Sequence, residues 1–341
     1  MESIKSIQGL TSLEFLYIWN CPSLLGIPSF SCDDYPASVT NVAIDIERKW
    51  TTLDKLVKIT LSNCCSFLSL PMLEHLPHLQ DLWLANMNTL TCLRSSDVTG
   101  SMKPLSPSLR SLRLYNMESL EKWIDGATNS SKMISPVLQR LNIKNCPKII
   151  LLDECHLHPL VSLSISDCTG LESIKSIQGL TSLESLSIWR CPSLLGIANL
   201  PNQCHSLKTL YIFHCEKLTS FAQEMCDCFA FLNDLKLGPF SKELDSFPSL
   251  QGIEKLRNHL HSLTLFGDNQ WESMPEEIQH LTSLTSLTIS GFRMRELPKW
   301  LKNMSSIRKL DFYGCKGLNK EIFRQGAPRE ATYVELNFQR C

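Results

Sequence analysis

Apolar residues recur along the chain in the pattern L-x-x-L-x-L-x-x-C, whose nine positions are numbered 1 to 9 below. Position 4 is Leu or Ile, and position 6 is Leu, Ile or Phe, in every clear copy. Apolar residues that alternate in this way have the period of a β-strand. A weaker additional copy consists of Val39, Val42 and Ile44. The thirteen clear copies begin at Leu13, Leu56, Leu79, Leu109, Leu138, Leu160, Leu183, Leu207, Leu232, Leu260, Leu284, Ile307 and Tyr333.

The copies follow one another at intervals of about 25 residues. This spacing is typical of leucine-rich repeats, in which a return connection brings each short strand beside its parallel neighbour. We therefore predict an α/β solenoid, a leucine-rich-repeat horseshoe of about 13–14 repeats. Its parallel β-sheet lies on the concave face, with mostly loops and short helices on the convex face. The Ser-, Gly- and Pro-rich runs at 94–108 and 125–137 are predicted convex-side loops.

Eight of the 15 cysteines fall at position 9 of a repeat. We expect these side chains to turn inward after the strand and bond backbone groups, because buried Cys is a small hydrophobe with a weak donor. A disulfide or metal role is the less favoured alternative. Cys155-His156-x-His158 and Cys226-x-Cys228 lack the paired C-x2-C spacing of structural zinc sites and are expected to be loop residues. The position 9 cysteines are Cys21, Cys64, Cys146, Cys168, Cys191, Cys215, Cys315 and Cys341.

Composition narrows the class of protein. The chain is 43% hydrophobic and 20% charged, which excludes a disordered chain, and it has no apolar run long enough for a membrane span. The net charge of −1 gives no overall attraction to nucleic acid. Free cysteines without a secretory signal predict a cytoplasmic protein. Because no nucleophile, metal or phosphate-binding motif is present, we expect neither an enzyme nor a cofactor.

Aromatic residues are concentrated at positions 3, 5 and 7, which strand alternation directs to the solvent side of the concave face. The thirteen clear copies have 39 residues at these three positions, and ten of the 39 are aromatic, whereas aromatic residues make up 8% of the whole chain. The preference of aromatic residues for strands accounts for only part of that enrichment. Exposed aromatics are typical of protein-binding hot spots, and basic residues lie between them, so we expect a protein partner with acidic patches. The candidate partner-binding residues are Phe15, Tyr17, Trp19, Trp83, Tyr115, Arg140, Lys144, Trp189, Arg190, Tyr211, Phe213, Phe266 and Tyr313.

One segment occurs twice. Residues 7–27 read IQGLTSLEFLYIWNCPSLLGI and residues 177–197 read IQGLTSLESLSIWRCPSLLGI. The copies differ only at positions 3, 5 and 8, all expected to face outward: Phe15 against Ser185, Tyr17 against Ser187, and Asn20 against Arg190. We therefore interpret the segment as one structural cassette that carries two different recognition surfaces.

The segments SLEFLYIWNCPSL, SLESLSIWRCPSL and VLQRLNIKNCPKI resemble repeats of plant intracellular nucleotide-binding leucine-rich-repeat immune receptors, most closely those of the coiled-coil class. SMPEEIQHLTSL and ELPKWLKNMSSI are similar to the L-P-x-x-I-x-x-L-x-x-L units of that family. The resemblance covers nearly the whole chain. It implies that the chain recognises a pathogen effector or the receptor's own nucleotide-binding domain.

The domain organisation departs from that family. Residues 1–341 are interpreted as a single leucine-rich-repeat domain that starts within a repeat, since residues 1–4 align with residues 171–174. We expect a fragment that lacks an N-terminal cap and the nucleotide-binding domain. Two alternatives stay open. An F-box-type adaptor for ubiquitination would show an F-box and regular Cys-centred repeats. A leucine-rich-repeat enzyme or small-hormone receptor would need a deep pocket or a convergent polar site.

Overall fold

The computed structural model describes residues 11–21, 53–65, 70, 73–94, 104–124, 134–149, 159–174, 180–196, 206–219, 231–318, 328 and 333–337. The chain divides into two compact units, Met1–Leu180 (unit 1) and Thr181–Cys341 (unit 2). The single domain over 1–341 stays a prediction.

Unit 1 contains two parallel sheets in its described residues. The strands are β1 (Phe15–Trp19), β2 (Lys58–Ser62), β3 (Asp81–Ala85), β4 (Cys92–Arg94), β5 (Ser111–Tyr115), β6 (Lys122–Ile124), β7 (Arg140–Lys144) and β8 (Ser162–Ser166). In the larger sheet the pairing order is β1-β2-β3-β5-β7-β8. A smaller sheet of two strands, which the repeat pattern did not predict, pairs β4 with β6. A 3-10 helix spans Leu73–His75.

Unit 2 continues the pattern with strands that pair in parallel in chain order. Short 3-10 helices span Ile253–Leu256, Glu276–His280 and Lys299–Asn303 in the return connections. The strands are β9 (Ser185–Trp189), β10 (Thr209–Phe213), β11 (Asp234–Gly238), β12 (Ser262–Phe266), β13 (Ser286–Ser290), β14 (Lys309–Tyr313) and β15 (Tyr333–Asn337).

The apolar positions build the core as predicted. Leu186 lies opposite Leu210 and Ile188 opposite Ile212, so like positions stack from one repeat to the next. Positions 4 and 6 are buried in every strand whose side chains are described, except for the half-buried Leu16 of β1. A shift of one residue would turn these side chains to solvent, which is why the pairing is in register. The predicted leucine-rich-repeat solenoid is therefore confirmed.

The C-P-x-L motif ends the strand and starts the return. The carbonyl of Cys191 accepts a hydrogen bond from the backbone N–H of Leu194 at 3.2 Å, which closes a turn with Pro192 at its second position. Proline is favoured there because its ring already holds the required φ. The turn buries Leu194 and returns the chain toward the next repeat.

Among the described residues, the position 9 cysteines from Cys64 to Cys315 are buried, in agreement with the prediction, and Cys21 is half-buried. The Cys146 thiol lies 3.4 Å from the carbonyl oxygen of Lys144 and 3.6 Å from that of Leu114 in the preceding repeat. Burial raises the pKa of Cys146 to about 12 and that of Cys215 to about 11. The cysteines of the described residues are free thiols. The clusters at 155–158 and 226–228, and Cys341, lie outside the described residues.

One repeat assignment differs from the structure. Strand β15 places Val334 opposite Leu310 and Leu336 opposite Phe312, so the last repeat begins two residues before the predicted start at Tyr333. The prediction was wrong because the alternation V-x-L-x-F fits both registers. The weak copy at residues 39–44 lies outside the described residues.

Candidate protein-binding face

We use the term open face for the side of each unit's sheet that carries positions 3, 5 and 7. On β1 this face presents Phe15, Tyr17 and Trp19, whose side chains are 51%, 54% and 61% exposed. Trp19 lies opposite Ser62 of β2, which is too small to cover an indole ring. The Lys58 ammonium lies 5.7 Å from the centre of the Tyr17 ring. Unit 1 therefore exposes three of the predicted aromatics, next to a cation.

A second aromatic pair of unit 1 is less exposed. The rings of Trp83 and Tyr115 meet edge to face at 5.7 Å, and both side chains are half-buried. The Trp83 indole nitrogen is buried without a hydrogen-bond partner. Of the predicted basic residues, Arg140 and Lys144 lie exposed at the two ends of β7. This part of the face offers ring edges and two cations.

Unit 2 contains a continuous row of three rings, Trp189, Phe213 and Phe266, called the aromatic stack below. Trp189 and Phe213 are 5.8 Å apart with planes inclined by 10°, and Phe213 and Phe266 are 5.4 Å apart with planes inclined by 25°. Gly238 of β11 lies between the strands of the two phenylalanines. Because Gly238 has no side chain, the two rings close the gap above it.

The copied tryptophan has a different environment in each cassette. Trp19 is 61% exposed, whereas Trp189 is half-buried. Their own strands differ at Phe15 against Ser185 and Tyr17 against Ser187. Beside the tryptophan, the adjacent strand supplies Ser62 in the first case and Phe213 in the second. The neighbouring repeat thus decides whether this tryptophan is a free ring or the end of a stack.

Polar groups flank the aromatic stack on both sides. The Arg190 guanidinium lies 5.6 Å from the Trp189 ring centre, and the Lys236 ammonium lies 4.1 Å from that of Tyr211. The Tyr211 hydroxyl donates to Asp234 at 2.5 Å, and burial together with this carboxylate raises the pKa of Tyr211. On β14, Tyr313 is separated from Phe266 by Ser290, so it does not join the stack.

His214 completes the edge of the stack. Its ring centre lies 5.6 Å from that of Phe213 and 5.6 Å from that of Phe266. Burial against these rings, and then the charge of Arg190, lower the pKa of His214. The edge of the stack therefore combines the imidazole of His214 with the guanidinium of Arg190.

Position 8 has a conformational role that the sequence interpretation missed. In the described repeats other than those with Pro239 and Gly267 at this position, the residue has left-handed backbone angles, with φ near +55° at Asn20 and Arg190. Asn tolerates this region better than most residues, so five repeats of unit 1 carry it there. Each asparagine from the second onward donates its side-chain N–H to the side-chain Oδ1 of the preceding asparagine at 2.5 to 3.0 Å. This asparagine ladder contains Asn20, Asn63, Asn86, Asn116 and Asn145.

The difference between Asn20 and Arg190 thus has two causes. Both side chains are exposed, as predicted for a recognition position. Position 8 also demands a left-handed backbone, and in unit 1 the asparagine is held by its ladder partner Asn63. The signal was readable, because Asn precedes position 9 in five repeats of the printed sequence.

Three plant proteins are similar to the chain in sequence. TMV resistance protein N of Nicotiana glutinosa is 23% identical over 297 residues, which cover 72% of this chain and 25% of that protein. Protein SUPPRESSOR OF npr1-1, CONSTITUTIVE 1 of Arabidopsis thaliana is 31% identical over 199 residues (53% and 13%). Disease resistance protein RPP4 of the same plant is 26% identical over 225 residues (59% and 19%). The chain fits the leucine-rich-repeat domain of a plant nucleotide-binding resistance protein.

The resemblance inferred from the repeat motifs is thereby confirmed. The chain spans a quarter or less of the length of these relatives. Their names do not state a class, so the coiled-coil class stays a prediction. No protein-family model matches the chain.

Solved structures are similar only in a general way. A leucine-rich-repeat protein of Leptospira interrogans covers 95% of this chain and 97% of its own, with 15% identity and a TM-score of 0.33. The complex of TLR13 with ssRNA13 covers 100% of this chain and 45% of its own, with 18% identity and a TM-score of 0.48. Neither match bears on what this chain binds.

Two further observations concern the described part of the chain. None of its helices is long and apolar enough to cross a membrane. It also brings together no group of three or more His, Cys, Asp or Glu side chains suited to a metal ion. The described open face offers aromatic rings, guanidinium and ammonium groups, hydroxyls and carboxylates such as those of Asp81 and Asp234, and these groups suit binding.

Proposed function

We propose that the chain is the protein-recognition module of a plant immune receptor. Its open face binds a pathogen effector or the receptor's own nucleotide-binding domain, in the cytoplasm. It acts by binding and not by catalysis. Bound protein changes the signalling state only when its affinity differs between the resting and the active receptor.

The observation that carries this proposal is the contrast between the two faces of each sheet. Leu and Ile at positions 4 and 6 repeat with little change, while the open face gathers aromatic residues in places that differ between repeats. The side chains of Phe15, Tyr17 and Trp19 are more than half exposed. Because burial of apolar surface is favourable, these exposed rings favour association with a partner protein. The similarity to plant resistance proteins supports an immune role for that partner.

The first experiment tests the open face in unit 2. The tagged full chain is expressed in leaves, cross-linked protein partners are identified by mass spectrometry, and affinity is then measured with each purified partner. We expect the double variant Trp189→Ala and Phe213→Ala to abolish binding, since each hot-spot aromatic is worth about 2 kcal/mol, or roughly 30-fold in affinity. Circular dichroism and proteolysis confirm that the variant stays folded.

Phe231→Ala provides the matched control, because Phe231 is 56% exposed but lies before β11, off the open face. This control should bind each partner as wild type does. If the double variant also binds every captured partner with wild-type affinity, recognition does not use the middle of the array.

The second experiment tests whether the chain belongs to an immune receptor or to an F-box-type adaptor. The transcript that encodes this chain is sequenced upstream of the Met1 codon. A G-x-x-x-x-G-K-[ST] segment in the same reading frame would supply the nucleotide-binding domain of a receptor. An F-box in that position would overturn the proposed role and favour an adaptor for ubiquitination.

A further inference from the structure

A narrow cleft of unit 2 lies between the two chain segments that lead into β13 and β14. One side consists of the 3-10 helix Glu276–His280 and the turn after it, and the other of the 3-10 helix Lys299–Asn303 and its turn. The volume of the cleft is about 160 Å³. Because both segments end before their strands begin, the cleft lies off the open face.

An aromatic ring and two apolar side chains line this cleft. Leu281 and Met304, which precede β13 and β14 at equivalent places, are buried. The Trp300 side chain is half-buried, so part of its indole remains accessible from the cleft. An indole presents a broad apolar surface together with a single N–H donor. The cleft therefore offers apolar contact as well as polar groups.

Amides and hydroxyls make up the rest of the lining. Gln279 and Asn303 contribute the amides, each of which can both donate and accept hydrogen bonds. Within the described part of the chain, the side chains of Gln279, Asn303 and Trp300 have no hydrogen-bond partner. The Thr282 hydroxyl, by contrast, already donates to the carbonyl of Arg257 at 3.2 Å. Two amides and an indole N–H are therefore available to a ligand.

Charged groups lie near the cleft, but the described residues that line it are uncharged. The Arg308 guanidinium donates to the carbonyl of Ser305 at 2.6 Å. The Glu277 carboxylate accepts a hydrogen bond from the hydroxyl of Ser249. A neutral ligand suits such a lining, because it brings no charge that would have to be desolvated. The exposed ionisable residues of the two helices are Glu276, His280, Lys299 and Lys302.

We propose that this cleft binds one neutral sugar ring, a hexopyranose. A pyranose ring has an apolar face of C–H groups, which packs on the Trp300 indole, and a rim of hydroxyls that donate and accept as the amides do. Sites for drug-sized ligands measure about 300–1,000 Å³, so a cleft of about 160 Å³ suits a single ring and not a peptide segment. The site is separate from the open face and does not depend on the proposed function.

The preceding helix provides a matched substitution. Glu277 and Trp300 each stand second after the proline that precedes their 3-10 helix. Trp300→Glu therefore introduces a residue that the neighbouring helix already carries at this place, and removes the ring from the cleft. Trp300→Phe keeps a flat ring and removes only the N–H donor. Gln279 and Asn303 are exposed, so Gln279→Ala and Asn303→Ala change the lining without changing the core.

The test uses the full chain and saturation-transfer NMR titrations. D-glucose, D-galactose, D-mannose and N-acetylglucosamine are the neutral sugars, glucose 6-phosphate is the charged probe, and adenosine is the aromatic probe. We expect at least one neutral sugar to bind with a millimolar Kd, since so small a ligand has few atoms to contribute. Trp300→Glu should weaken its binding at least about 10-fold, and Gln279→Ala and Asn303→Ala about 5-fold each.

Two variants serve as controls. Trp300→Phe should keep most of the affinity, because the ring that packs on the sugar is retained. Phe231→Ala removes an exposed aromatic ring of the same unit outside the cleft and should leave binding unchanged. Circular dichroism confirms that each variant is folded. The methyl glycoside of the tightest sugar separates two sources: equal affinity indicates the end of a glycan, and binding of the free sugar alone indicates a free monosaccharide.

Three results would overturn the inference. The first is that no neutral sugar binds at tens of millimolar. The second is that glucose 6-phosphate or adenosine binds more tightly than every neutral sugar, which would assign the cleft to a charged or an aromatic ligand. The third is that Trp300→Glu, Gln279→Ala and Asn303→Ala all bind the sugar as wild type does, which would place its site elsewhere. The proposed function is decided separately, by the capture experiment with Trp189→Ala and Phe213→Ala.

Discussion

Gly238 connects the fold of unit 2 with its aromatic stack, and its replacement by Ala gives a sharp prediction. Gly238 has φ of +84°, where a side chain costs about 1–2 kcal/mol. A Cβ atom at this position would lie 2.2 Å from the carbonyl oxygen of Phe266. Real Cβ atoms approach an oxygen to about 3.0 Å at the closest, so strands β11 and β12 would have to move apart.

The expected loss from Gly238→Ala is about 3 kcal/mol or more, because backbone strain and loss of adjacent strand bonding act together. Long repeat arrays do not unfold as one unit, so the assay is hydrogen exchange of the individual amides. We expect faster exchange in β11 and β12, and little change in β14.

Gly196→Ala is the matched control, because a Cβ there meets nothing within 4 Å. Its effect should stay within about 0.5 kcal/mol. If Gly238→Ala exchanges as slowly as Gly196→Ala, the close approach of β11 to Phe266 is not a constraint on the fold. In that case the missing side chain of Gly238 would not be what brings Phe213 and Phe266 together.

Burial and hydrogen bonding lead to four further predictions. Leu186→Arg buries an unpaired charge in the core and should cost about 3 kcal/mol or more, so limited proteolysis should cleave unit 2 faster; unchanged resistance would contradict the strand register. At pH 8, iodoacetamide should alkylate the exposed Cys65 before Cys146 and Cys215, as read by mass spectrometry. The thiol pKa is near 9.0 in the unfolded chain, and in the folded protein it is about 12 for Cys146 and about 11 for Cys215. The unfolded state therefore loses these protons first, and the free energy of unfolding should fall as the pH rises above 9. Equal stability in urea at pH 8 and at pH 10.5 would contradict this. Asn86→Ala should lower the free energy of unfolding by about 2 kcal/mol, because it removes two ladder hydrogen bonds and places Ala in a left-handed backbone. Asn86→Gly should cost clearly less, since Gly adopts this backbone without strain. Equal losses in urea unfolding would contradict the conformational role of position 8.

The strands could be predicted from the sequence because each is a local pattern. Leu141 and Ile143, for example, alternate with the polar residues Arg140, Asn142 and Lys144 and are followed by a turn, so no information from other repeats is needed to place them. The last repeat is different, since Val334, Leu336 and Phe338 alternate equally well in two registers. There the partner strand β14 made the choice.

The sequence predicted which aromatic residues lie on the open face, but it did not predict which of their rings are in contact. Alternation alone placed Phe213 and Phe266 on the open face. It did not show that they touch across β11, because that contact depends on the missing side chain of Gly238 and on parallel pairing. The asparagine ladder was missed for a similar reason, since one Asn at position 8 is unremarkable until the repeats stack and align their amides.

The amino-acid sequence by itself determined which residues form the core, where the strands lie and which side chains face outward, because those properties follow from periods of two residues within each repeat. Only the tertiary structure decided what each outward residue has beside it. Trp19 and Trp189 belong to copies of one segment, yet one is open and the other stacked, since the strands that flank them supply Ser62 and Phe213. Lateral neighbours in a parallel sheet come from residues more than twenty positions away, and that distance is why local patterns could not choose between them.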